Sequence, residues 1–209
     1  MGTRLNMASM MKVIGEYGER VVELCKKLLR LLGEELGIGE ECLLERFGGE
    51  EGLAACFRIN YYPNCPQHEL AIGLSPHTDP GIFTAIFQND VSGLQVFKDG
   101  IWISVPPTPD ALLFIIADQL EILSNGIYKS VNHRTPANGD KERMSMVVFF
   151  NPEGNKKIGP MDILVERCGG LRLYNDMTFN DHRKLIRTLG VRGKAILDSR
   201  STTKDSVLS

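Results

Sequence analysis

From Gly52 to Phe150, short runs of β-branched and aromatic residues alternate with Pro, Gly, Asn and Asp at intervals of about ten residues. This rhythm favours an antiparallel sandwich, barrel or jelly roll over a helical bundle or a parallel α/β sheet. Between two of the runs, Lys98-Asp99-Gly100 predicts a β-hairpin. The predicted strands are 57–62, 83–88, 94–97, 102–105, 111–117, 131–135 and 144–150.

Helical patterns flank this β region. Apolar side chains recur every three or four positions over residues 10–36, which predicts one long amphipathic helix. Residues 40–47 predict a shorter helix. Near the C-terminus, Thr178 has the character of an N-cap, and the helix that follows is predicted to run through Leu189 and to end at Gly190.

The chain of 209 residues therefore divides into four expected segments. An N-terminal helical segment covers 1–50, and the β core covers 51–155. A C-terminal extension with a helix covers 156–198, and a disordered polar tail covers 199–209.

The composition favours a folded protein that binds a small molecule. Basic residues number 24 and acidic residues 26, and the net charge of -2 argues against nucleic acid or an anionic membrane as a partner. Five cysteines without CxxC spacing argue against a disulfide framework or a zinc cluster. No secretory signal or long apolar run is visible, so we expect a cytoplasmic protein.

His77 and Asp79 form the first candidate site, because side chains two positions apart in an extended segment project to the same side. A later predicted strand carries His133. Two imidazoles and one carboxylate are the ligand set of non-haem Fe(II) oxygenases, in which neighbouring metal positions stay open for other ligands. On these residues alone, a turn histidine and a buried core histidine remain the alternative interpretation.

Arg143 and Ser145 form a second candidate site on one face of a predicted strand. The guanidinium offers a fixed fork of donors that matches a carboxylate, and the hydroxyl adds another hydrogen bond. The pair suits a dicarboxylate, although a surface ion pair at the start of a strand explains it equally well.

These residues lie in motifs that closely resemble the plant 2-oxoglutarate and Fe(II)-dependent dioxygenases. The resemblance implies a mainly β fold with flanking α-helices, built as a double-stranded β-helix (jelly roll). The matching motifs are NYYPNCP at 60–66, GLSPHTD at 73–79, GLQVFKDGIWISVPP at 93–107, DQLEILSNGIYKSVNHR at 118–134 and ERMSMVVFFNP at 142–152.

By this resemblance the site takes Fe(II), with 2-oxoglutarate and O2 as co-substrates and ascorbate as reductant. The implied reaction oxidises a C–H bond of a small organic plant metabolite and forms succinate and CO2. No catalytic residue is implied beyond the metal centre. The implied metal ligands are His77, Asp79 and His133, and the implied 2-oxoglutarate residues are Asn60, Tyr62, Arg143 and Ser145.

The motifs FGGE at 47–50, ACFRINYYP at 55–63 and MTFNDHRKLIRTLGVRGK at 177–194 resemble the branch that contains the jasmonate-inducible oxygenases. That branch is related to flavonol synthase and anthocyanidin synthase. The resemblance implies that three arginines hold the carboxylate of a jasmonate-like acid, and that two further residues face the substrate as in flavonoid-oxidising members. The arginines are Arg58, Arg183 and Arg187, and the two further residues are Phe149 and Asn151.

Members of this family continue further upstream of the long helix, so the N-terminal part of the family fold is expected to be missing here. Three alternatives therefore stay open: a flavonoid-oxidising enzyme, a truncated non-catalytic relative, and a jelly-roll module that binds a different metal. We expect a monomer that tends to aggregate through an uncovered sheet edge. His68 and His182 lack the spacing to complete the metal site, and both are expected on the surface.

Overall fold

The computed structural model describes residues 7–190 and 194–202. The helices are α1 Met7–Glu35, α2 Cys42–Phe47, α3 Gly49–Gly52, α4 Asp118–Leu123, α5 Asp162–Arg167, α6 Phe179–Leu189 and α7 Ala195–Ser199. The strands are β1 Ala54–Tyr62, β2 Ile72–His77, β3 Phe83–Gln88, β4 Gln95–Lys98, β5 Ile101–Ser104, β6 Leu113–Ile116, β7 His133–Pro136, β8 Arg143–Asn151, β9 Lys157–Ile158 and β10 Met177–Thr178. One turn of 3-10 helix covers His68–Leu70.

Two four-stranded sheets, in which every pair is antiparallel, form the body of the molecule. Their strand orders are β1-β8-β3-β6 and β2-β7-β4-β5, so strands that are neighbours in a sheet are mostly distant along the chain. A two-stranded sheet of β9 and β10 lies outside them. This architecture confirms the predicted mainly β fold with flanking helices, a double-stranded β-helix or jelly roll.

The predicted strands all occur, and β3 covers the same residues as its prediction. The β4–β5 hairpin also forms as expected: Asp99 and Gly100 connect the strands with φ values of 51° and 83°, which a tight two-residue hairpin turn requires. Strand β2 was not among the predicted strands. Its residues include Gly73 and Pro76, and most of its side chains are exposed, so the usual alternation of apolar and polar residues is absent.

The long helix α1 packs its apolar stripe against the sheet that contains β3 and β8. Val21, Cys25 and Leu29 are buried in one core cluster with Phe83 and Phe150 of that sheet. Because this single core joins the helical segment to the sheet, the division of the chain at residue 50 stays a prediction. Among the described residues, no helix has both the length and the apolar character needed to cross a membrane.

The C-terminal region differs from its prediction in one respect. Helix α6 begins and ends as expected: the Thr178 side chain accepts a hydrogen bond from the Asp181 backbone N–H, and Gly190 follows with a φ of 74°. The expected disorder from residue 199 onwards is wrong for its first residues. Arg200 is only 1% exposed, because its guanidinium reaches carbonyl oxygens in the interior. The rest of the predicted tail, 203–209, lies outside the described residues.

Candidate metal centre and ligand cavity

The three candidate metal ligands meet at one end of the β2–β7 pair. His77 ends β2, His133 begins β7, and the two residues face each other across the pair. The Nε2 atom of His77 lies 3.5 Å from Oδ1 of Asp79, and the Nε2 atom of His133 lies 3.7 Å from Oδ2 of the same carboxylate. One donor atom from each residue falls within 4.8 Å of the other two, a spacing that a single metal ion can bridge.

Backbone carbonyl groups orient both imidazoles. The Nδ1 atom of His77 lies 2.8 Å from the Ser75 carbonyl oxygen, and that of His133 lies 2.9 Å from the Val131 carbonyl oxygen. Because a carbonyl oxygen only accepts, Nδ1 must carry the proton in both rings. When the rings are neutral, they therefore present the lone pairs of their Nε2 atoms to the shared space, which is the form that a metal requires.

The carboxylate of Asp79 is buried and held in its ionised form. Burial raises the pKa of Asp79, but the hydrogen bonds from His77 and Thr84 and the charge of His133 outweigh burial, so the pKa lies below its ordinary value. The Thr84 hydroxyl donates to Oδ2 over 2.5 Å. The backbone N–H of Asp118 donates to the Asp79 carbonyl oxygen and fixes the main chain.

This donor set fits Fe(II). Two neutral imidazoles and one carboxylate, oriented by outer hydrogen bonds and grouped on one side, are the ligands that non-haem Fe(II) centres use. His77 is 13% exposed at its side chain, whereas Asp79 and His133 are almost fully buried, so the donors face a sheltered space with one accessible side.

The donors face a cavity of about 760 Å³ that lies between the two sheets and is bordered by α6 and α7. Strands β1 and β8 form one wall, because alternate side chains of each strand point inward. Asn60 pairs with Ser145 and Tyr62 pairs with Arg143 across these strands. The four residues expected to bind 2-oxoglutarate therefore line the same part of the wall.

Arg143 is the most unusual member of this wall. Its side chain is buried, yet its Nε and Nη1 atoms have no hydrogen-bond partner among the described residues. Burial lowers its pKa, because desolvation disfavours the cation. A buried guanidinium with free donors is costly on its own and becomes favourable when an anion binds to it.

Two glycines leave the space that the side chains of Arg143 and Tyr62 occupy. A Cβ atom on Gly93 would lie 2.7 Å from Cδ of Arg143, and a Cβ atom on Gly73 would lie 2.8 Å from the Tyr62 ring. The guanidinium carbon of Arg143 sits 5.2 Å from the centre of that ring. The two glycines therefore allow the arginine and the tyrosine to occupy the cavity wall together.

Four of the five expected substrate residues line the cavity: Arg58, Phe149, Asn151 and Arg183. The guanidinium of Arg58 lies 5.4 Å from the centre of the Phe149 ring. Within the described residues Arg187 does not line this cavity but borders a smaller one of about 420 Å³, which it shares with Arg183. The expected cluster of three arginines around one anion is thus divided between two cavities.

The two remaining histidines differ from each other. His68 lies in a loop with 53% of its side chain exposed, as expected. The surface prediction for His182 is wrong: it is fully buried, and its Nε2 atom lies 3.3 Å from Oδ2 of Asp118. Since α6 lies against the cavity, the face that carries His182 turns inward.

Sequence reasoning also missed residues that support the site. Thr84, which donates a hydrogen bond to Asp79, is the one polar residue within 83–87 of β3, and this contrast was an available signal. Gln88 lies two and four positions after Ile86 and Thr84, which both line the cavity, so alternation along β3 places it on the same face. Its contact with Arg143 spans distant parts of the chain and carries no local signal.

Comparisons with known proteins agree with this geometry. Residues 53–152 match the model of the 2OG-Fe(II) oxygenase superfamily. Jasmonate-induced oxygenase 2 from Arabidopsis thaliana is 49% identical over 189 residues, which is 90% of this chain and 50% of that protein. Flavonol synthase/flavanone 3-hydroxylase from Petunia hybrida is 45% identical over 153 residues, 73% of this chain and 44% of that protein.

A solved structure is also similar. The crystal structure of JOX2 in complex with 2OG, Fe and JA has a TM-score of 0.87 and 48% sequence identity, and the match covers 91% of this chain and 56% of that one. The chain spans about half the length of the curated relatives that it matches.

Proposed function

This chain belongs to the 2OG-Fe(II) oxygenase superfamily, and we propose that it uses Fe(II), 2-oxoglutarate and O2 to oxidise a C–H bond of a small organic plant metabolite. The observation that carries the proposal is the convergence of two imidazoles and one carboxylate at the end of a cavity whose wall holds a buried arginine with free donors.

In this proposal His77, Asp79 and His133 hold the iron. Bound iron, together with 2-oxoglutarate and O2, supplies the oxidation of a C–H bond and the conversion of 2-oxoglutarate to succinate and CO2. The protein's own task is to present three fixed donors and to shelter the reacting groups from water. The backbone bonds to both Nδ1 atoms serve that task, because they prevent the rings from turning away.

Arg143 and Ser145 bind the distal carboxylate of 2-oxoglutarate, and Asn60 and Tyr62 border it. The unpartnered donors of Arg143 support this assignment, since an anion at that point would satisfy them. The Asn60 amide lies 3.5 Å from the Ser145 hydroxyl and orients it toward the cavity.

The substrate that the cavity supports best is a carboxylic acid of the jasmonate kind. Arg58 and Arg183 border the cavity from β1 and α6, and either guanidinium can anchor an acid group while the rest of the molecule extends toward the iron. The similarity to JOX2, whose structure holds 2OG, Fe and JA, adds support.

A flavonoid is the second candidate. Phe149 and Phe179 both line the cavity, and two aromatic side chains favour a flat aromatic ligand. The similarity to a flavonol synthase supports the same candidate.

The deciding experiment measures succinate formation by the chain with Fe(II), ascorbate and 2-oxoglutarate, in the presence of jasmonic acid, its methyl ester or a flavanone. We expect turnover of the acid and little turnover of the ester. Asp79→Ala should reduce every rate to background, because one metal ligand is lost. Absence of succinate from the unmodified chain, with or without a substrate, would instead favour a non-catalytic relative.

Arg183→Ala and Arg187→Ala form a matched pair, because the two residues share a helix but only Arg183 borders the central cavity. We expect Arg183→Ala to raise the KM for the acid roughly tenfold to a hundredfold, the value of one charge-assisted contact. Arg187→Ala should change it by less. Equal turnover of acid and ester would transfer the proposal to the flavonoid.

We also propose that the protein works as a monomer in the cytoplasm, with a small molecule as its partner. The five cysteines, all of them free thiols, support a reducing compartment. Size-exclusion chromatography with light scattering and localisation of a tagged protein test the two statements.

A further inference from the structure

Gln88 accepts a hydrogen bond from the buried guanidinium fork of Arg143. The Nη2 atom of Arg143 donates to Oε1 of Gln88 over 2.6 Å. Gln88 ends β3, and its direct partner across to β8 is Ser145, so its side chain reaches diagonally to the arginine. The two residues that bind the proposed distal carboxylate thus both lie beside Gln88.

The acceptor is neutral, and this matters for a buried cation. A carboxylate at position 88 would pair with Arg143 and satisfy its charge inside the protein. An amide oxygen takes one donor and fixes the plane of the guanidinium, but leaves the positive charge without a counter-charge. The Nε and Nη1 atoms keep their donors free in this arrangement.

The remaining sides of the arginine are confined by packing. Gly93 lies against its Cδ atom, and the Tyr62 ring lies beside its guanidinium. With the stem confined and one end of the fork tied to Gln88, the fork is held in one place in the wall of the cavity that Arg143 lines.

We infer that Gln88 is a positioning residue: it sets the orientation of the Arg143 fork toward the distal carboxylate of the co-substrate without neutralising the fork. The inference rests on the proposed function, since it concerns the same binding site. It assigns to Gln88 a role in affinity and in selectivity for a 2-oxo acid with a second carboxylate.

Two substitutions separate orientation from charge. Gln88→Glu keeps the size and the acceptor but adds a negative charge that competes with the co-substrate. Gln88→Met keeps the length and removes the acceptor. Binding of 2-oxoglutarate to the Fe(II)-loaded chain is measured by calorimetry without oxygen. We expect affinity to fall roughly tenfold to a hundredfold in Gln88→Glu and about threefold to tenfold in Gln88→Met.

The chain contains a matched control. Gln95 accepts a hydrogen bond from Nε of Arg134 over 2.8 Å, and this second pair of an amide and a guanidinium does not line the central cavity within the described residues. Gln95→Glu introduces the same change in charge next to an arginine. It should leave the affinity for 2-oxoglutarate within about twofold of the unmodified chain.

Thermal stability provides the readout that distinguishes positioning from a purely structural role. Gln88→Glu forms an internal ion pair with Arg143, so its melting temperature should equal or exceed that of the unmodified chain while its affinity falls. A purely structural amide predicts the opposite pattern, in which affinity follows stability. A second ligand, 2-oxopentanoate, replaces the distal carboxylate by a methyl group, and its affinity should change by less than about threefold in either variant.

Affinities for 2-oxoglutarate within twofold of the unmodified chain in both variants would overturn the inference. So would an equal loss for 2-oxopentanoate, or a larger loss in Gln88→Met than in Gln88→Glu. If the unmodified chain binds Fe(II) but not 2-oxoglutarate, the proposed function fails first and the inference fails with it. If the unmodified chain binds 2-oxoglutarate but substitutions at position 88 do not change that affinity, only the inference about Gln88 is rejected and the proposed function stands.

Discussion

Arg143 and Arg200 are both buried arginines, but their surroundings differ. Arg200 is 1% exposed, and its donors reach the carbonyl oxygens of Ile158 and Asn175 and the side chain of Gln119. Arg143 is 4% exposed, and two of its nitrogen atoms have no partner among the described residues. One guanidinium is satisfied within the protein's own structure, and the other keeps two nitrogen atoms without a partner, which we propose an anionic ligand would satisfy.

The difference separates two regions of the interior. Around Arg200, the C-terminal segment is tied to the main body by contacts that are satisfied within the chain. Glu121 belongs to this supporting region, since it accepts hydrogen bonds from the Tyr174 hydroxyl, the Ser130 backbone and Lys194. The cavity region instead contains polar atoms, such as Nε and Nη1 of Arg143, that have no hydrogen-bond partner among the described residues. Removal of a group should therefore lower stability in the first region and ligand binding in the second.

The largest expected effect on stability comes from Arg200→Leu. The substitution removes the donors from three acceptors, two of them buried, and leaves a cavity, which should lower the free energy of unfolding by about 3 to 5 kcal/mol. Denaturant unfolding measures this change. Arg172→Leu is the control, because Arg172 forms ion pairs near the surface with Asp162 and Asp176, and it should cost at most about 1 kcal/mol. Equal costs for both arginines would remove the distinction between the supporting region and the surface.

Arg143→Lys should have the opposite effect: it should lower ligand affinity strongly and stability little. Lysine keeps the charge but loses the planar fork, so affinity for 2-oxoglutarate should fall by about 1.5 to 3 kcal/mol, or one to two powers of ten. Stability should change little, because Nε and Nη1 had no partner among the described residues and only the hydrogen bond from Nη2 to Gln88 is affected. Calorimetric binding and thermal unfolding measure the two effects, with Arg134→Lys as the control outside the cavity. A large loss of stability with normal binding would place Arg143 in the supporting region.

The smallest expected effect concerns pH. In the metal-free chain the lowered pKa of Asp79 means that its ionised form stabilises the fold above about pH 4, and that this contribution is lost as the pH falls through the lowered pKa. For His77, burial lowers the pKa, but the contacts with Asp79 outweigh burial and the pKa is raised. Its contribution is therefore present below about pH 6.5 and is lost as the pH rises through the raised pKa.

Asp79→Asn should therefore cost the metal-free chain about 1 kcal/mol near pH 5.5 and less near pH 8. Burial lowers the pKa of Arg200 to about 10, which lies above this window, so the cost of Arg200→Leu should be the same at both pH values. Denaturant unfolding at the two pH values compares the regions directly. A cost for Asp79→Asn that does not depend on pH would contradict the assigned pKa shifts.

Local sequence patterns were sufficient to predict much of the fold and the three candidate metal ligands. A run of β-branched and aromatic residues between turn residues predicted β3 with its observed bounds, and a hydroxyl before a helix and a glycine after it predicted both ends of α6. Motif spacing identified the three donors that converge at the end of β2 and β7, although Asp79 lies two residues beyond the end of β2 and not in the strand itself.

Local sequence patterns could not predict contacts between segments that are distant along the chain. Phe179, His182 and Ile186 are spaced three and four apart, so the inward face of α6 was readable, but nothing near His182 in the sequence points to Asp118. Arg200 was assigned to a polar tail for the same reason, since its acceptors belong to residues far from it along the chain. Burial of a polar side chain depends on a partner, and the partner is known only after the chain has folded.

The pairing of β2 with β7 is irregular, with shifts in register between Ile72 and Leu74 and again between Leu74 and His77, before His77 meets His133. Successive side chains of a strand point to opposite sides, so an error of one residue in this pairing would turn one imidazole out of the cavity. Binding of a metal at this site should therefore require the observed register of β2 against β7. We expect the fraction of a preparation that takes up iron to equal the fraction of molecules in which β2 and β7 are paired in this register.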